Sequence, residues 1–181
     1  SEIARSLTNA KRTEKDVTGS LMRDATVTGE VTLAGRVRKV NVTGLFTAGL
    51  SGQAFDDRYG PLSEKADFIV YSGHSGLGSN IKAMAEKSLA TKGKYQIVFL
   101  NGCQTFAYLG TELRDRRIAL NGAADPEGTK FLDVVANALP AYVDNGVPII
   151  SMVRAMTTSD TAPKSYNDLL TDFARSHLVA V

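Results

Sequence analysis

Two short motifs hold the residue types that could do chemistry. The first, Tyr71-Ser72-Gly73-His74-Ser75-Gly76, follows the apolar run Phe68-Ile69-Val70 and contains one of the two histidines in the chain. The second, Phe99-Leu100-Asn101-Gly102-Cys103-Gln104, closes another apolar run and contains the single cysteine. A free thiol has a pKa of about 8.5 and is mostly protonated at neutral pH. A nearby imidazole can take its proton, or as imidazolium stabilise the thiolate. The two residues are 29 positions apart (103 − 74), which accommodates one helix between two parallel strands. On adjacent strands both side chains would emerge at the carboxyl edge of the sheet, where open α/β sheets bind ligands. The flanking glycines leave room for a substrate backbone. The Cys103 amide, with one from the Ser75–Gly76 turn, could form an oxyanion hole. Taken singly, a lone cysteine after an apolar strand is commonly a small core residue, and a lone loop histidine is commonly incidental. The pairing at two matching strand ends favours chemistry.

The surrounding pattern must position these motifs. Residues 1–23 are polar and basic and read as an N-terminal arm or a loosely packed helix with a solvated face. Residues 25–33 and 37–43 alternate, are rich in Val and Thr, and flank Ala34-Gly35, which predicts a hairpin. Residues 49–61 are glycine-rich and polar and read as a loop. From there, apolar runs at 66–71, 95–100 and 149–153 read as buried parallel strands. Helical spacing of apolar residues appears over 81–91, 129–142 and 166–178. Strands alternating with helices imply a mainly parallel sheet flanked by helices, so the expected class is α/β with one domain over 24–181.

Bulk properties narrow the function classes. A chain of 181 residues buries a real core, and its net charge of +2 gives no strong case for a nucleic-acid partner. No apolar run approaches bilayer-spanning length. One cysteine and two histidines exclude an internal disulfide and are too few for a metal cluster without a carboxylate pattern. No metal and no cofactor is expected, since the glycine pattern lacks the lysine of a phosphate loop and is out of phase with the dinucleotide fingerprint. The first residue is Ser1 rather than methionine, so an upstream or regulatory segment is expected.

The blocks Asp67-Phe68-Ile69-Val70-Tyr71-Ser72-Gly73-His74-Ser75-Gly76 and Tyr95-Gln96-Ile97-Val98-Phe99-Leu100-Asn101-Gly102-Cys103-Gln104-Thr105 resemble those of the caspase-like cysteine peptidases, and more closely the bacterial caspase-like and CHAT-type domains. The resemblance covers about half of the chain. It implies a three-layer sandwich with a mainly parallel central sheet, here preceded by the hairpin, and a protein or peptide substrate. It makes Cys103 the nucleophile, His74 the general base and acid, and the amides of Ser75 and Cys103 the oxyanion hole. Asn101 stands where caspases carry a glutamine that shapes the first specificity pocket. The family's next strand lines the same pocket, which, if that strand is 149–153, implicates Ser151 and Arg154. Arg154 would favour an acidic residue before the cut, whereas Asp144 and Asp160 would favour a basic one. The caspase signature of Gln-Ala-Cys with a histidine about 50 residues upstream is not met, so aspartate specificity does not carry over.

Two other classes remain. Gly73-His74-Ser75-Gly76-Leu77-Gly78 also approximates a nucleophile elbow, with Ser75 as nucleophile, His177 as base and Asp125, Asp144 or Asp160 as acid. That pattern wants glycine where Leu77 stands, and it leaves Asn101-Gly102-Cys103 without a role. A caspase-like chain can also serve as a catalytically silent binding module. Thiol sensitivity separates the three.

Overall fold

The structure is a computed structural model and describes residues 2–17, 21–141, 146–158, 164–172 and 179–180. They form two compact units: residues up to 48 with 146–172, and residues 49–141 with 179–180.

The first unit opens with a single helical turn, α1 (Glu2–Arg5), followed by three strands, β1 (Thr8–Asp16), β2 (Arg23–Leu33) and β3 (Arg36–Phe46), in an antiparallel sheet of order β1-β2-β3. The predicted hairpin is present. Leu33 pairs with Arg36, and Ala34 and Gly35 both have positive φ (47° and 69°), the geometry of a two-residue turn matched to strand twist. The polar opening segment, expected as an arm or helix, is instead strand β1. All nine of its residues are exposed, so no face of it is selected for apolar residues and the two-residue period on which strand recognition depends is absent.

The second unit begins with α2 (Gln53–Lys65), then β4 (Phe68–Ser72), α3 (Ser79–Lys87), β5 (Gln96–Asn101), a 3₁₀ turn at Thr105–Tyr108, α4 (Glu112–Asn121) and β6 (Leu132–Asn137). The first unit resumes with α5 (Gly146–Thr158) and α6 (Tyr166–Asp172), and β7 (Val179–Ala180) closes the second. The second sheet has order β4-β5-β6-β7, parallel except for β7. The protein is therefore a mixed α/β chain with one antiparallel and one mainly parallel sheet.

Three expectations fail here for identifiable reasons. The loop expected over residues 49–61 ends at 52: from Gln53 the chain is α2, with Phe55 and Tyr59 one turn apart, ring-stacked at 5.0 Å. Residues 129–141 of the helix expected over 129–142 contain β6 instead, and residue 142 lies outside the described ones. Phe131, Val134, Val135, Ala138 and Leu139 fit a helical face, but a strand buried on both sides is apolar throughout and carries no alternation to oppose that reading. Residues 149–153 are not a strand but the middle of α5, which admits Pro148 in its first turn, where no intrahelical N–H is required. The helix expected at 166–178 begins at Tyr166 as α6, and its later residues lie outside the described ones.

The parallel sheet is packed on one side by α3 and α4. Ile69, Val98, Leu100, Leu132 and Ala136 from the strands meet Ile81, Met84 and Ala85 of α3 and Leu113 of α4. The strand residues alternate, as one sheet face requires. Phe99 and Val135, of opposite parity, are fully buried too. The amino end of β5 is pinned by polar contacts. Gln96 donates to the carbonyls of Ser63 (2.6 Å) and Ala66 (2.7 Å) at the close of α2, and accepts from the buried Arg117 of α4.

Candidate functional site

β4 ends at Ser72, and the chain turns through Gly73–Gly78 into α3. The Gly73 amide donates to the Asn101 carbonyl at 3.1 Å, extending the β4–β5 ladder one step beyond the strand. The next carbonyl, of His74, accepts from the Tyr71 hydroxyl and from Asn80 Nδ2 (2.8 Å). Two donors thus hold the His74 backbone while its side chain stays exposed. Burial pushes the Tyr71 phenol above its ordinary pKa, with its hydrogen bond to Asn80 acting the other way, so it remains a donor at neutral pH. After buried Ser75, three consecutive residues have positive φ: Gly76 at 60°, Leu77 at 52° and Gly78 at 92°. The Ser75 carbonyl closes this turn, accepting from the amides of Gly78 (3.0 Å) and Asn80 (3.3 Å). For a leucine the left-handed region costs roughly 1–2 kcal/mol, and the hydrogen bonds on either side hold it there.

β5 ends at Asn101. Gly102 is a position where only glycine fits: a Cβ there would stand 2.6 Å from the Gly73 carbonyl oxygen and 3.0 Å from Thr105 Cγ2. Cys103 follows, half-buried, its thiol donating to the Ala141 carbonyl at 3.4 Å. Gln104, at φ 51°, donates its amide to Leu139 O at 3.2 Å, so residues 139–141 run beside the cysteine loop. Thr105, fully buried, donates to Leu100 O (2.6 Å) and accepts from the Asn137 amide (3.0 Å), tying that loop to the end of β6.

Parallel register relates the two loops. Ser72 pairs with Asn101 and Phe68 with Ile97, an offset of 29 residues (101 − 72), equal to the separation of His74 and Cys103 (103 − 74). Each residue stands two positions past the end of its strand, on adjacent strands and at the carboxyl edge. Among the described residues, neither the Ser75 nor the Cys103 amide donates to another protein group.

Asn101 is buried in a polar row across the three strand ends. Its Nδ2 donates to Ser72 Oγ at 3.4 Å, and its Oδ1 accepts from Asn137 Nδ2 at 3.0 Å. Asn137 is 1% exposed, and its own Oδ1 has no partner among the described residues. Sequence reasoning missed Asn137, Thr105, Tyr71 and Asn80. A polar residue ending an apolar run was the available signal for the first, and the mistaken helix at 129–142 hid it.

Ser151 and Arg154 fall on α5, in the first unit, where Arg154 pairs with Glu2 at 3.2 Å. The strand that linked them to the cysteine is β6 instead, so the reason for assigning them to the pocket no longer holds. Asp144, Asp160 and His177 lie outside the described residues. Asp125 is fully buried, with Oδ1 accepting the Lys130 amide at 3.0 Å. No group of three or more potential metal ligands occurs among the described residues, and no described helix is long and apolar enough to cross a membrane. No family model, curated protein or solved structure matches the chain.

Proposed function

We propose that this chain is a cysteine-type peptidase with a His74–Cys103 dyad, and that its parallel sheet is a variant of the caspase-like sandwich whose motifs it resembles. The observation that carries the reading is the shared register offset of 29 residues (101 − 72), which brings the two loops to one level of one sheet edge. The amides of Ser75 and Cys103, which donate to no described protein group, are the donors that acyl transfer needs.

The reaction begins when the Cys103 thiol leaves the Ala141 carbonyl and passes its proton to His74. The thiolate attacks the scissile carbonyl carbon, and the negative oxygen is held by the two amides. The C–N bond breaks as the imidazolium returns its proton to the leaving amine, leaving a thioester on Cys103. Water then gives a proton to His74 and attacks the thioester carbonyl. The C–S bond breaks, the thiolate regains its proton from His74, and the carboxylic acid departs. Holding nucleophile, base and donors on strand ends fixes their positions in advance.

Digestion of a mixed peptide library by the wild-type protein and by Cys103→Ala tests this. Cleavage that disappears in the variant and after alkylation supports the dyad. Cleavage that survives both, but is lost in Ser75→Ala, points to the serine hydrolase. Absence of cleavage by the wild type points to the silent binding module.

A further inference from the structure

Building on the peptidase reading, we infer that the groove between the two site loops is a subsite for one bulky apolar side chain of the peptide substrate, with Leu77 as the residue that selects it. The groove is shallow and open to solvent, with a volume of about 420 Å³. Leu77, Gly78 and Lys82 line it from the stretch after His74, and Ala107, Tyr108 and Glu112 from the stretch after Cys103. The Tyr108 ring packs against Gly78: a Cβ on Gly78 would stand 2.8 Å from Tyr108 Cδ1.

Leu77 has no folding rationale. Its side chain is 90% exposed and its φ is 52°. A leucine here gains nothing from burial and holds a conformation that glycine adopts freely. Backbone strain of this kind persists where function requires it. Phe106 (52% exposed) and Leu139 (45%) are also exposed, without the positive φ, so the segments leaving β4, β5 and β6 each expose one large apolar side chain at the carboxyl edge.

The occupant follows from chain continuity. Leu77 is two residues past Ser75 and Ala107 is four past Cys103. A polypeptide with its scissile carbonyl at those amides runs over the loops that line the groove. Lys82 and Glu112 carry opposite charges, so the groove favours neither acidic nor basic side chains, and selection rests on apolar contact.

The test uses internally quenched octapeptides of Ala, Ser and Gly carrying one Leu, Phe, Asp or Lys moved through each position, with cuts mapped by mass spectrometry. Cleavage at a fixed distance from Leu or Phe, about tenfold or more above the Asp and Lys peptides, is expected, and Leu77→Gly should bring that ratio close to one. Cleavage without apolar preference, or a ratio undiminished in Leu77→Gly, overturns the subsite. Fluorescence anisotropy of the same peptides, labelled and mixed with Cys103→Ala, separates this from the dyad. Tighter binding of Leu or Phe peptides, lost when Leu77→Gly is added, keeps the subsite even if the wild type cuts nothing and the peptidase reading falls. Equal binding of all four series, with no cleavage, rejects both.

Discussion

The Gly73 carbonyl oxygen lies 2.6 Å from the point where a Cβ on residue 102 would stand, so the missing side chain of Gly102 lets the histidine and cysteine loops approach as closely as they do. Gly102→Ala forces that carbonyl or Thr105 aside. An overpacking cost of about 1–3 kcal/mol is expected in urea unfolding, together with a loss of peptide cleavage larger than the unfolded fraction explains. A variant with wild-type stability and activity would show that the loops are not held this tightly.

Reactivity of Cys103 reports on His74. If the imidazole activates the thiol, iodoacetamide labels native Cys103 readily at mildly acidic pH, and His74→Ala slows labelling about tenfold or more. Mass spectrometry of the labelled peptide over time reads this directly. Labelling seen only after unfolding would make Cys103 a core residue whose thiol serves Ala141.

Gln96 anchors the far end of the same strand. Gln96→Ala removes both donors to the close of α2 and the acceptor for buried Arg117. Leaving these groups unpaired costs about 2–4 kcal/mol, seen as a lowered urea midpoint with unchanged slope. Because Gln96 lies at the amino end of β5, the thiol labelling rate of the molecules that remain folded should stay near wild type.

Tyr59 makes stability sensitive to alkaline pH. Burial raises its phenol from the ordinary 10.0 to about 12, against the opposing pull of the Ser88 hydrogen bond and the Arg116 charge. The folded state holds this proton more tightly than the unfolded one. Its contribution is therefore complete below pH 10 and is lost as pH rises towards 12, in total on the order of 3 kcal/mol. The unfolding free energy of wild type should fall relative to that of Tyr59→Phe as pH rises across that window. A constant difference would remove Tyr59 as the cause.

Local sequence determined the parts whose physics is local. The Val/Thr alternation and Ala34-Gly35 specified the β2–β3 hairpin, because a two-residue turn requires positive φ at both positions. The apolar runs ending at Ser72 and Asn101, with glycines beyond them, placed His74 and Cys103 past two strand ends. Tertiary structure decided the rest. An apolar run buried on both faces has no period, so β6 could be told from a helix, and α5 from a strand, only by what packs around them. Polar β1 buries nothing and becomes a strand through its hydrogen bonds to β2. The pairing of Ser72 with Asn101 is likewise a relation between distant segments, set by the packing of α3 and α4 on the sheet. It brings the two loops to one level and turns a spacing of residues into a candidate site.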